Sequence, residues 1–324
     1  MTINRQWLLA QRPSGMVGPH NFEYVETPVP EPKNDEVLVK NLFLSFDPAQ
    51  RNWMVDRKAY LPPVAIGAPM RAGSVGEVVD SRHADYQVGD LVQTTGYWQD
   101  YVVASPGEGP MGLVKLPPGV SPEMMLSVLG ITGLTAYFGL LEVGQPKAGD
   151  TLLVSGAAGS TGSFVGQIAK LKGCRVVGIA GSDEKCAWLI DELGFDAAIN
   201  YKTEDIAAAI RTACPDGVDV FFDNVGGDIL EAAIGNIALR GRIVLCGAIA
   251  QYNDESPRPG PSNLSLLVSM RGRMEGFIIL DYLDRADQAI GDLATWVMNG
   301  DVKFKVDIVD GLDNAPMALD RLFT

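Results

Sequence analysis

The pattern of apolar and polar positions changes about a third of the way along the chain. Up to residue 124, short runs alternate with a period of two, as in 36–45 and 73–79, and turn-forming residues such as those at 86–90 separate them. This pattern is typical of β-strands with one buried face. It predicts an irregular all-β domain over residues 1–124. Residues 300–324, with a predicted strand at 302–309 and a short helix, are expected to return to that domain.

From residue 125 to 299, apolar runs alternate with amphipathic stretches of helical period. Strands are predicted at 151–155, 175–180, 197–200, 218–223, 241–246 and 273–279. Helices are predicted at 160–172, 183–192, 204–212, 227–237, 261–270 and 281–298. Such alternation predicts a parallel, doubly wound sheet, and hence an α/β fold class with a second, β-rich domain.

The junction of the first predicted strand and helix of this region is rich in glycine. Gly156, Gly159 and Gly162 allow a sharp turn and let a pyrophosphate approach bare backbone amides. The helix after this turn presents its free N–H groups and positive dipole end to the same anion. A strand-to-helix turn without a ligand can have the same spacing. The strand at 175–180, which arrives where a βαβ unit requires it, favours a dinucleotide site.

The residue after that second strand indicates which dinucleotide binds. NAD-selective sites place an acid there, which binds the ribose 2′-hydroxyl. Here the position holds Gly181, and Lys185 lies in the next helix, so a 2′-phosphate has both space and a positive charge. Asp183 and Glu184 could bind a ribose instead. We prefer to interpret them as first-turn acids favoured by the helix dipole, and we therefore predict NADP(H).

Composition excludes several classes of protein. The net charge of −14 disfavours nucleic-acid binding and opposes an anionic membrane, and no apolar run reaches the roughly 18–20 residues of a membrane span. The N-terminus lacks a signal-peptide pattern. Two isolated histidines and widely spaced cysteines predict no metal site and no disulfide framework. The cysteines are expected to be buried thiols in a reducing cytoplasm: Cys174, Cys186, Cys214 and Cys246.

Three further segments end predicted strands, where ligands of such sheets bind: 223–227, 246–253 and 276–279. Asn224 could bind a ribose or merely form a turn. Tyr252 could donate its phenol to a substrate carbonyl, or pack with its hydroxyl in solvent. Cys246 is interpreted as a packing residue rather than a nucleophile. Aromatic residues of the β domain, such as Trp53, could line an apolar substrate pocket, although ordinary packing is the simpler interpretation of each.

The run 154–185 resembles the zinc-free medium-chain dehydrogenase/reductase superfamily, and more narrowly the prostaglandin reductase (leukotriene B4 dehydrogenase) and plant double-bond reductase family. Supporting motifs occur in family order over nearly the whole chain: 44–51, Gly-Leu-Thr-Ala-Tyr at 133–137, Asn-Tyr-Lys at 200–202, 223–227 and 246–253. The resemblance implies a GroES-like β domain, a Rossmann domain and a homodimer. It also implies NADPH-dependent reduction of the C=C bond of α,β-unsaturated ketones and aldehydes.

The resemblance further implies a role for individual residues. The pyrophosphate would be held by Gly159, Ser160, Thr161 and Gly162, the 2′-phosphate by Lys185, the adenosine end by Tyr201 and a ribose by Asn224. The nicotinamide side would be lined by residues 246–252, including Cys246 and Gly247, and by Phe277, Ile278 and Ile279. Tyr252 matches the family tyrosine placed near the substrate carbonyl, which favours the phenol-donor interpretation given above.

Two departures from the family concern the substrate and cofactor sides. Ala49 and Gln50 stand where the family often has Tyr-Met, and Ala250 replaces a frequent serine. The expected function is a cytoplasmic enone or enal reductase for small hydrophobic substrates. Hydride would reach the β-carbon, Tyr252 would stabilise the developing oxyanion, and solvent would protonate the α-carbon. The alternatives are an NADPH quinone reductase and a non-catalytic NADPH-binding protein.

Overall fold

The computed structural model describes residues 2–107, 112–256 and 258–323. The chain divides into two compact units. The first, here called the β unit, comprises Met1–Leu126, Tyr252–Glu255 and Val306–Thr324. The second, here called the α/β unit, comprises Ser127–Gln251 and Ser256–Lys305. The β unit is therefore assembled from three separate stretches of the sequence.

The β unit contains a two-stranded and a five-stranded antiparallel sheet. Its strands are β1 (Ile3–Leu9), β2 (Phe22–Pro28), β3 (Val37–Leu44), β4 (Gly73–Ser81), β5 (Leu91–Thr95), β6 (Tyr101–Ala104) and β7 (Val114–Lys115). The larger sheet has the order β6-β3-β4-β5-β7. Two short helices, α1 (Ala49–Trp53) and α2 (Pro122–Leu126), come after β3 and β7. Valines from four strands of this sheet share one buried cluster, so the predicted β-rich domain is confirmed.

The α/β unit is built on six parallel strands in the order β10-β9-β8-β11-β12-β13. They are β8 (Thr151–Val154), β9 (Arg175–Ala180), β10 (Ala197–Asn200), β11 (Val218–Asp223), β12 (Ile237–Leu245) and β13 (Arg273–Gly276). The helices are α3 (Ile131–Phe138), α4 (Ser160–Leu171), α5 (Asp183–Asp191), α6 (Ile206–Ala213), α7 (Gly227–Gly235), α8 (Ser265–Met270) and α9 (Ala286–Met298). The predicted doubly wound sheet is confirmed, and its strand order reverses between β8 and β11.

The strand predicted at 302–309 is wrong: among the described residues this segment joins no sheet. Its backbone polar groups bind a side chain instead. The N–H of Lys303 donates to Gln167 Oε1 at 2.7 Å, and Gln167 Nε2 donates to the carbonyl oxygen of Lys303 at 3.0 Å. Gln167 lies on α4 and is 3% exposed. The amide side chain thus occupies the hydrogen-bonding positions that a neighbouring strand would fill.

Two predicted helices begin four or more residues later than expected. The helix predicted from 261 begins at Ser265, after a segment containing Pro259 and Pro261, which lack the amide N–H that a helix requires. The helix predicted from 281 opens as the 3₁₀ segment Ile279–Arg285 and becomes α-helical only at Ala286. Across the described residues, no helix is both long and apolar enough to cross a membrane.

The core of the β unit is completed by the last helix, α10 (Ala315–Asp320). Ala315 and Leu319 are buried in one cluster with Leu9, Met70 and Trp98. The indole Nε1 of Trp7 also donates to the carbonyl oxygen of Leu312 at 2.9 Å. Residues from both ends of the chain therefore share a single apolar core.

Candidate functional site

The turn between β8 and α4 is a glycine cradle at the carboxyl end of the parallel sheet. Gly156 has a φ of +58°, which glycine adopts without steric penalty. A Cβ on Gly162 would lie 2.4 Å from the carbonyl oxygen of Gly156, so only glycine lets helix and turn approach this closely. The predicted pyrophosphate residues 159–162 form the N-terminus of α4, whose N-cap residue, Gly159, provides no side-chain cap. Exposed backbone at a helix N-terminus fits an anionic ligand.

A hydrogen-bond network ties the cradle to the end of β11, across the point where the strand order reverses. Asp223 is fully buried, and its Oδ1 accepts from Ser155 Oγ at 2.8 Å and from the N–H groups of Val225 and Gly226 at 3.0 Å. Loss of hydration raises the pKa of Asp223, and these hydrogen bonds oppose that rise. The carboxylate therefore fixes the loop that carries Asn224.

Asn224 is held by the same network. Its Nδ2 donates to the carbonyl oxygen of Ser155 at 2.8 Å, and its N–H donates to Ser155 Oγ at 2.8 Å. The turn-forming interpretation of Asn224 is therefore supported. The backbone N–H and one N–H of the side-chain amide are used within the turn. The side-chain oxygen Oδ1 is the atom that would accept from a ribose hydroxyl. That second role stays a prediction.

The end of β9 brings together Gly181, Lys185 and Tyr201. A Cβ on Gly181 would lie 3.1 Å from the Tyr201 ring, so the ring packs directly over this backbone. Ser182 caps α5 by accepting from the N–H of Lys185 at 3.2 Å. The side chains of Lys185 and Tyr201 are exposed. A small residue, a cation and an aromatic ring thus lie where the adenosine end of a dinucleotide is predicted.

Asp183, the acid considered above as a ribose ligand, accepts a hydrogen bond within the protein. Its Oδ1 accepts from Asn200 Nδ2 at 2.7 Å, and Asp183 lies in the first turn of α5. The hydrogen bond joins the start of α5 to the end of β10. This contact supports the interpretation of Asp183 as a first-turn acid rather than a cofactor ligand.

Cys246 and Gly247 come directly after β12 and lie beside Asn224. Their N–H groups donate to the carbonyl oxygen of Asp223 at 2.9 and 3.1 Å. Loss of hydration, with a smaller effect of the Asp223 charge, raises the pKa of Cys246 to about 12. A thiol with this pKa stays protonated at neutral pH and is a poor nucleophile. The packing interpretation of Cys246 is supported.

Phe277, Ile278 and Ile279 come directly after β13, and the ring of Phe277 packs within the α/β unit. Its centroid lies 6.3 Å from that of Phe222, and a Cβ on Gly139 would lie 2.3 Å from the ring. The Phe277 side chain is therefore directed towards packing contacts. We therefore predict that residues 277–279 line the nicotinamide through their backbone atoms and the side chains of Ile278 and Ile279.

Tyr252 stands apart from the other candidate residues because it belongs to the β unit. It comes after the 3₁₀ turn Ile249–Gln251 and begins the segment Tyr252–Glu255. Tyr60 lies close by: burial raises its pKa, and the charges of Tyr252 and Asp47 raise it further. Loss of hydration also raises the pKa of Asp47. Tyr60, Tyr252 and Asp47, here called the phenol cluster, thus interact electrostatically within the β unit.

Sequence reasoning missed Tyr60. Its hydroxyl oxygen accepts from Trp53 Nε1 at 3.1 Å, and the guanidinium of Arg71 lies over the Trp53 ring at 5.4 Å from its centroid. Since the indole N–H occupies one lone pair, the phenol retains its proton for another acceptor. The only sequence signal was an aromatic residue directly before Leu61-Pro62-Pro63. Proximity to Tyr252, almost two hundred positions later, could not be inferred from it.

The two units contribute different chemistry. The α/β unit carries the glycine cradle, and the β unit carries the phenol cluster. Among the described residues, no group of three or more His, Cys, Asp or Glu side chains could hold a metal ion. A cradle at the strand-order reversal is where sheets of this class bind dinucleotides. The fold and the cradle define a dinucleotide-dependent enzyme.

Comparisons with known proteins agree with that class. Residues 5–113 match a family model described as the N-terminal domain of oxidoreductase, and residues 160–294 match one described as zinc-binding dehydrogenase. The NADPH-dependent curcumin reductase of Escherichia coli is 43% identical over 97% of this chain and 91% of its own. The NADP(+)-dependent 2-alkenal reductase of Nicotiana tabacum is 42% identical over 93% of this chain and 87% of its own.

The fold is also similar to a solved structure. The crystal structure of CurA from Vibrio vulnificus in complex with NADPH superposes with a TM-score of 0.92 at 43% identity, covering 98% of this chain and 95% of that one. The chain belongs to the zinc-free medium-chain dehydrogenase/reductase family. The family, the oxidoreductase class and the NADP(H) cofactor expected from the sequence are thereby confirmed.

Proposed function

We propose that this chain uses NADPH to reduce the C=C bond of small, hydrophobic α,β-unsaturated ketones and aldehydes. The observation that carries the proposal is the glycine cradle together with Gly181. The cradle has space for a pyrophosphate, and the missing side chain at Gly181 leaves space for a 2′-phosphate. A 2-alkenal, the substrate in the name of one relative, is itself an aldehyde conjugated to a C=C bond. The proposal places the enzyme in the cytoplasm, where Cys174 and Cys214, both buried, stay thiols.

The residues of the α/β unit would bind and orient the cofactor. Backbone amides of 160–162 would hold the pyrophosphate at the N-terminus of α4. Gly159 would contribute as the N-cap residue, because its own N–H donates to the carbonyl oxygen of Gly156. Lys185 would pair with the 2′-phosphate, Tyr201 would cover the adenosine and Asn224 Oδ1 would accept from a ribose hydroxyl. Residues 246–252 and 277–279 would line the nicotinamide. Bound NADPH supplies a hydride, which the β-carbon of the substrate accepts.

Tyr252 would act at the other end of the substrate. As the β-carbon accepts hydride, negative charge develops on the carbonyl oxygen, and a phenol directed at that oxygen stabilises the charge. The phenol cluster supports this role, because Tyr60 lies close enough for the charge of Tyr252 to affect its pKa. The α-carbon would then take its proton from solvent. In this scheme the protein binds, orients and stabilises charge, while the cofactor provides the reductant.

Steady-state kinetics of Tyr252→Phe on a simple enone, with NADPH saturating, test the proposal. We expect kcat to fall on the order of 10-fold, with a smaller change in KM, because the hydrogen bond strengthens in the transition state. Tyr60→Phe reports whether the neighbouring phenol shares the oxygen. Tyr24→Phe is the control, since Tyr24 is an exposed tyrosine of the same unit that binds Glu26.

The substrate panel separates the proposed reaction from its alternatives. Enones, enals and quinones are assayed side by side for NADPH oxidation, and the product of each enone is checked for a saturated C–C bond. Turnover of quinones with none of enones or enals would show a quinone reductase. Tight NADPH binding without oxidation by any compound would show a non-catalytic binding protein. Either result would contradict the proposal.

A further inference from the structure

The segment Tyr252–Glu255 is anchored in the β unit by the residue next to Tyr252. Asn253 Oδ1 accepts from Arg51 Nε at 3.0 Å, and Asn253 Nδ2 lies 3.0 Å from Met16 Sδ. Ser14 Oγ donates to Glu255 Oε1 at 3.4 Å. The segment is therefore held by α1, which carries Arg51, and by the loop 13–16.

One guanidinium joins these two supports. Arg51 Nη2 donates to the carbonyl oxygen of Gly15 at 2.9 Å and to that of Pro13 at 3.4 Å, while Nε holds Asn253. Arg51 is only 2% exposed. A guanidinium is planar with its donors in a fixed fork, so binding two backbone carbonyls and one amide oxygen fixes all three directions together.

The environment of Arg51 is unfavourable for a purely stabilising role. Across the described residues its acceptors are all neutral, and burial together with the charge of Arg57 lowers its pKa. A buried cation without a counter-ion costs free energy, and apolar residues of similar volume often replace buried charges without loss of stability. The advantage of arginine at this position is therefore geometric.

We propose that Arg51 is a positioning residue for Tyr252. By fixing Asn253 against the loop 13–16, it holds the preceding residue so that the Tyr252 phenol keeps one direction. The inference concerns how the phenol is oriented, and its catalytic consequence rests on the proposed function. Ala49, where the family often has tyrosine, lies two positions before Arg51 on α1. α1, which lacks that tyrosine, thus carries the residue that positions Tyr252.

Fluorine NMR tests the orientation without reference to activity. 3-Fluorotyrosine is placed at position 252 in the full chain, and its resonance is compared with that of the free amino acid. We expect a dispersed resonance in the parent protein. Arg51→Met and Asn253→Ala should each move it most of the way towards the free value. Arg175→Met is the control, because Arg175 also donates to a neutral backbone carbonyl, that of Ala213, at 3.2 Å, but belongs to the α/β unit. It should leave the resonance in place.

Kinetics then test whether the effect passes through Tyr252. Arg51→Met should lower kcat on the order of 10-fold, as expected for Tyr252→Phe, and leave the Kd for NADPH within about twofold. The double variant should be no slower than Tyr252→Phe alone, because the two changes remove one interaction. Arg51→Lys, which keeps the charge without the fork, should recover part of kcat.

Each outcome decides a separate point. An unmoved resonance in both Arg51→Met and Asn253→Ala would overturn the positioning role. Multiplying effects in the double variant would show that Arg51 acts on the fold in general, which also overturns it. If Tyr252→Phe retains the parent kcat, the proposed role of the phenol fails, while the resonance still decides whether Arg51 orients it. Because Asn253→Ala leaves Arg51 in place, the test survives a failure of Arg51→Met to fold.

Discussion

At the scale of single residues, we predict that the side chains just after β9 decide the choice of cofactor. Gly181 leaves no side chain beneath Tyr201, and Asp183 accepts a hydrogen bond from Asn200 Nδ2. Lys185 is an exposed cation in the first turn of α5. We therefore predict that this surface, which lacks an NAD-type acid at position 181, accommodates the 2′-phosphate.

Lys185→Ala should weaken NADPH binding and leave NADH binding nearly unchanged. A charge-assisted hydrogen bond to the 2′-phosphate is worth about 1.5–3 kcal/mol, or roughly 10- to 150-fold in Kd. Fluorescence titration with each cofactor measures the difference. Lys172→Ala, which removes a cation lying over the Trp296 ring, is the control. Equal losses for both cofactors would remove Lys185 from 2′-phosphate recognition.

The residue scale also shows the limit of sequence reasoning. The positions of Gly181 and Lys185 directly after β9 could be predicted because a βαβ unit fixes where its second strand ends; their roles towards the cofactor stay predictions. Arg51 and Asn253 are 202 positions apart, and neither has a local pattern that indicates the other. Tyr60 was missed for the same reason. Contacts between distant segments depend on the packing of the whole unit, which single residues do not encode.

At the scale of elements, the packing of α4 on its turn makes Gly162 indispensable. Gly162→Ala should destabilise the protein by about 1–3 kcal/mol and weaken NADPH, because the new methyl group collides with backbone atoms. Gly291→Ala in α9 is the matched control: its Cβ would meet no atom within 4 Å. It should stabilise by about 0.5–1 kcal/mol. Urea denaturation of the two variants, with and without NADPH, measures both effects, and similar behaviour of the two glycines would contradict the prediction.

A second element contact, between α3 and α9, predicts a pH dependence. Tyr137 Oη donates to Asp292 Oδ2 at 2.6 Å, and burial, together with a smaller effect of this hydrogen bond, raises the pKa of Tyr137 to about 12. An unfolded tyrosine ionises near pH 10. Between these values the unfolded chain has lost a proton that the native protein keeps, so the free energy of unfolding falls as pH rises.

Tyr137→Phe should remove that contribution. Urea denaturation is measured at several values between about pH 9 and about pH 12. The free energy of unfolding should fall less steeply with pH in the variant, the slopes differing by up to about 1.4 kcal/mol per pH unit. The variant should also be less stable near neutral pH because Asp292 loses its donor. Parallel pH profiles for the two proteins would show that the Tyr137 hydroxyl titrates as it does in the unfolded chain.

Elements differ in how well the sequence predicts them. Five of the six parallel strands were predicted because each contains an apolar run bounded by turns and followed by a helical pattern. The sixth, predicted at 273–279, ends at Gly276, so the apolar residues 277–279 lie after β13 rather than within it. The prediction of a strand at 302–309 was wrong. An alternating pattern requires only an extended backbone, and here Gln167 rather than a neighbouring strand binds the backbone of Lys303. The 3₁₀ segment Ile279–Arg285 has the same apolar spacing as the helix it precedes. Periodicity indicates an element, whereas its partners decide its final form.

At the scale of the whole molecule, exposed apolar side chains occur on α8 and β12, the two elements that precede the last strand of the parallel sheet. β13 is the last strand of the sheet order. Val268, on the helix preceding it, is 80% exposed, and Leu239, in β12, is 55% exposed. Unpaired edges and exposed apolar groups of this kind favour association. We predict a homodimer that joins two copies along this edge.

Light scattering should give about twice the 34.7 kDa of one chain. Val268→Asp should shift the protein towards the monomer, because a charge would be buried in the joined surface. Met298→Asp is the control: Met298 is 76% exposed but lies at the end of α9. A monomeric parent protein at micromolar concentration, or equal effects of the two variants, would contradict this assembly.

The shared core of the two chain ends has a consequence for biosynthesis. A ribosome releases residues 1–126 first, but Leu9, Met70 and Trp98 are packed against Ala315 and Leu319 only after α10 has emerged. Most of the α/β unit is made after residue 126 and before α10. It can therefore fold while the incomplete β unit still exposes apolar side chains. Partly folded species of this kind are prone to aggregation. Side chains made early, such as Leu9, thus depend for their burial on Ala315 and Leu319, which are made about three hundred positions later.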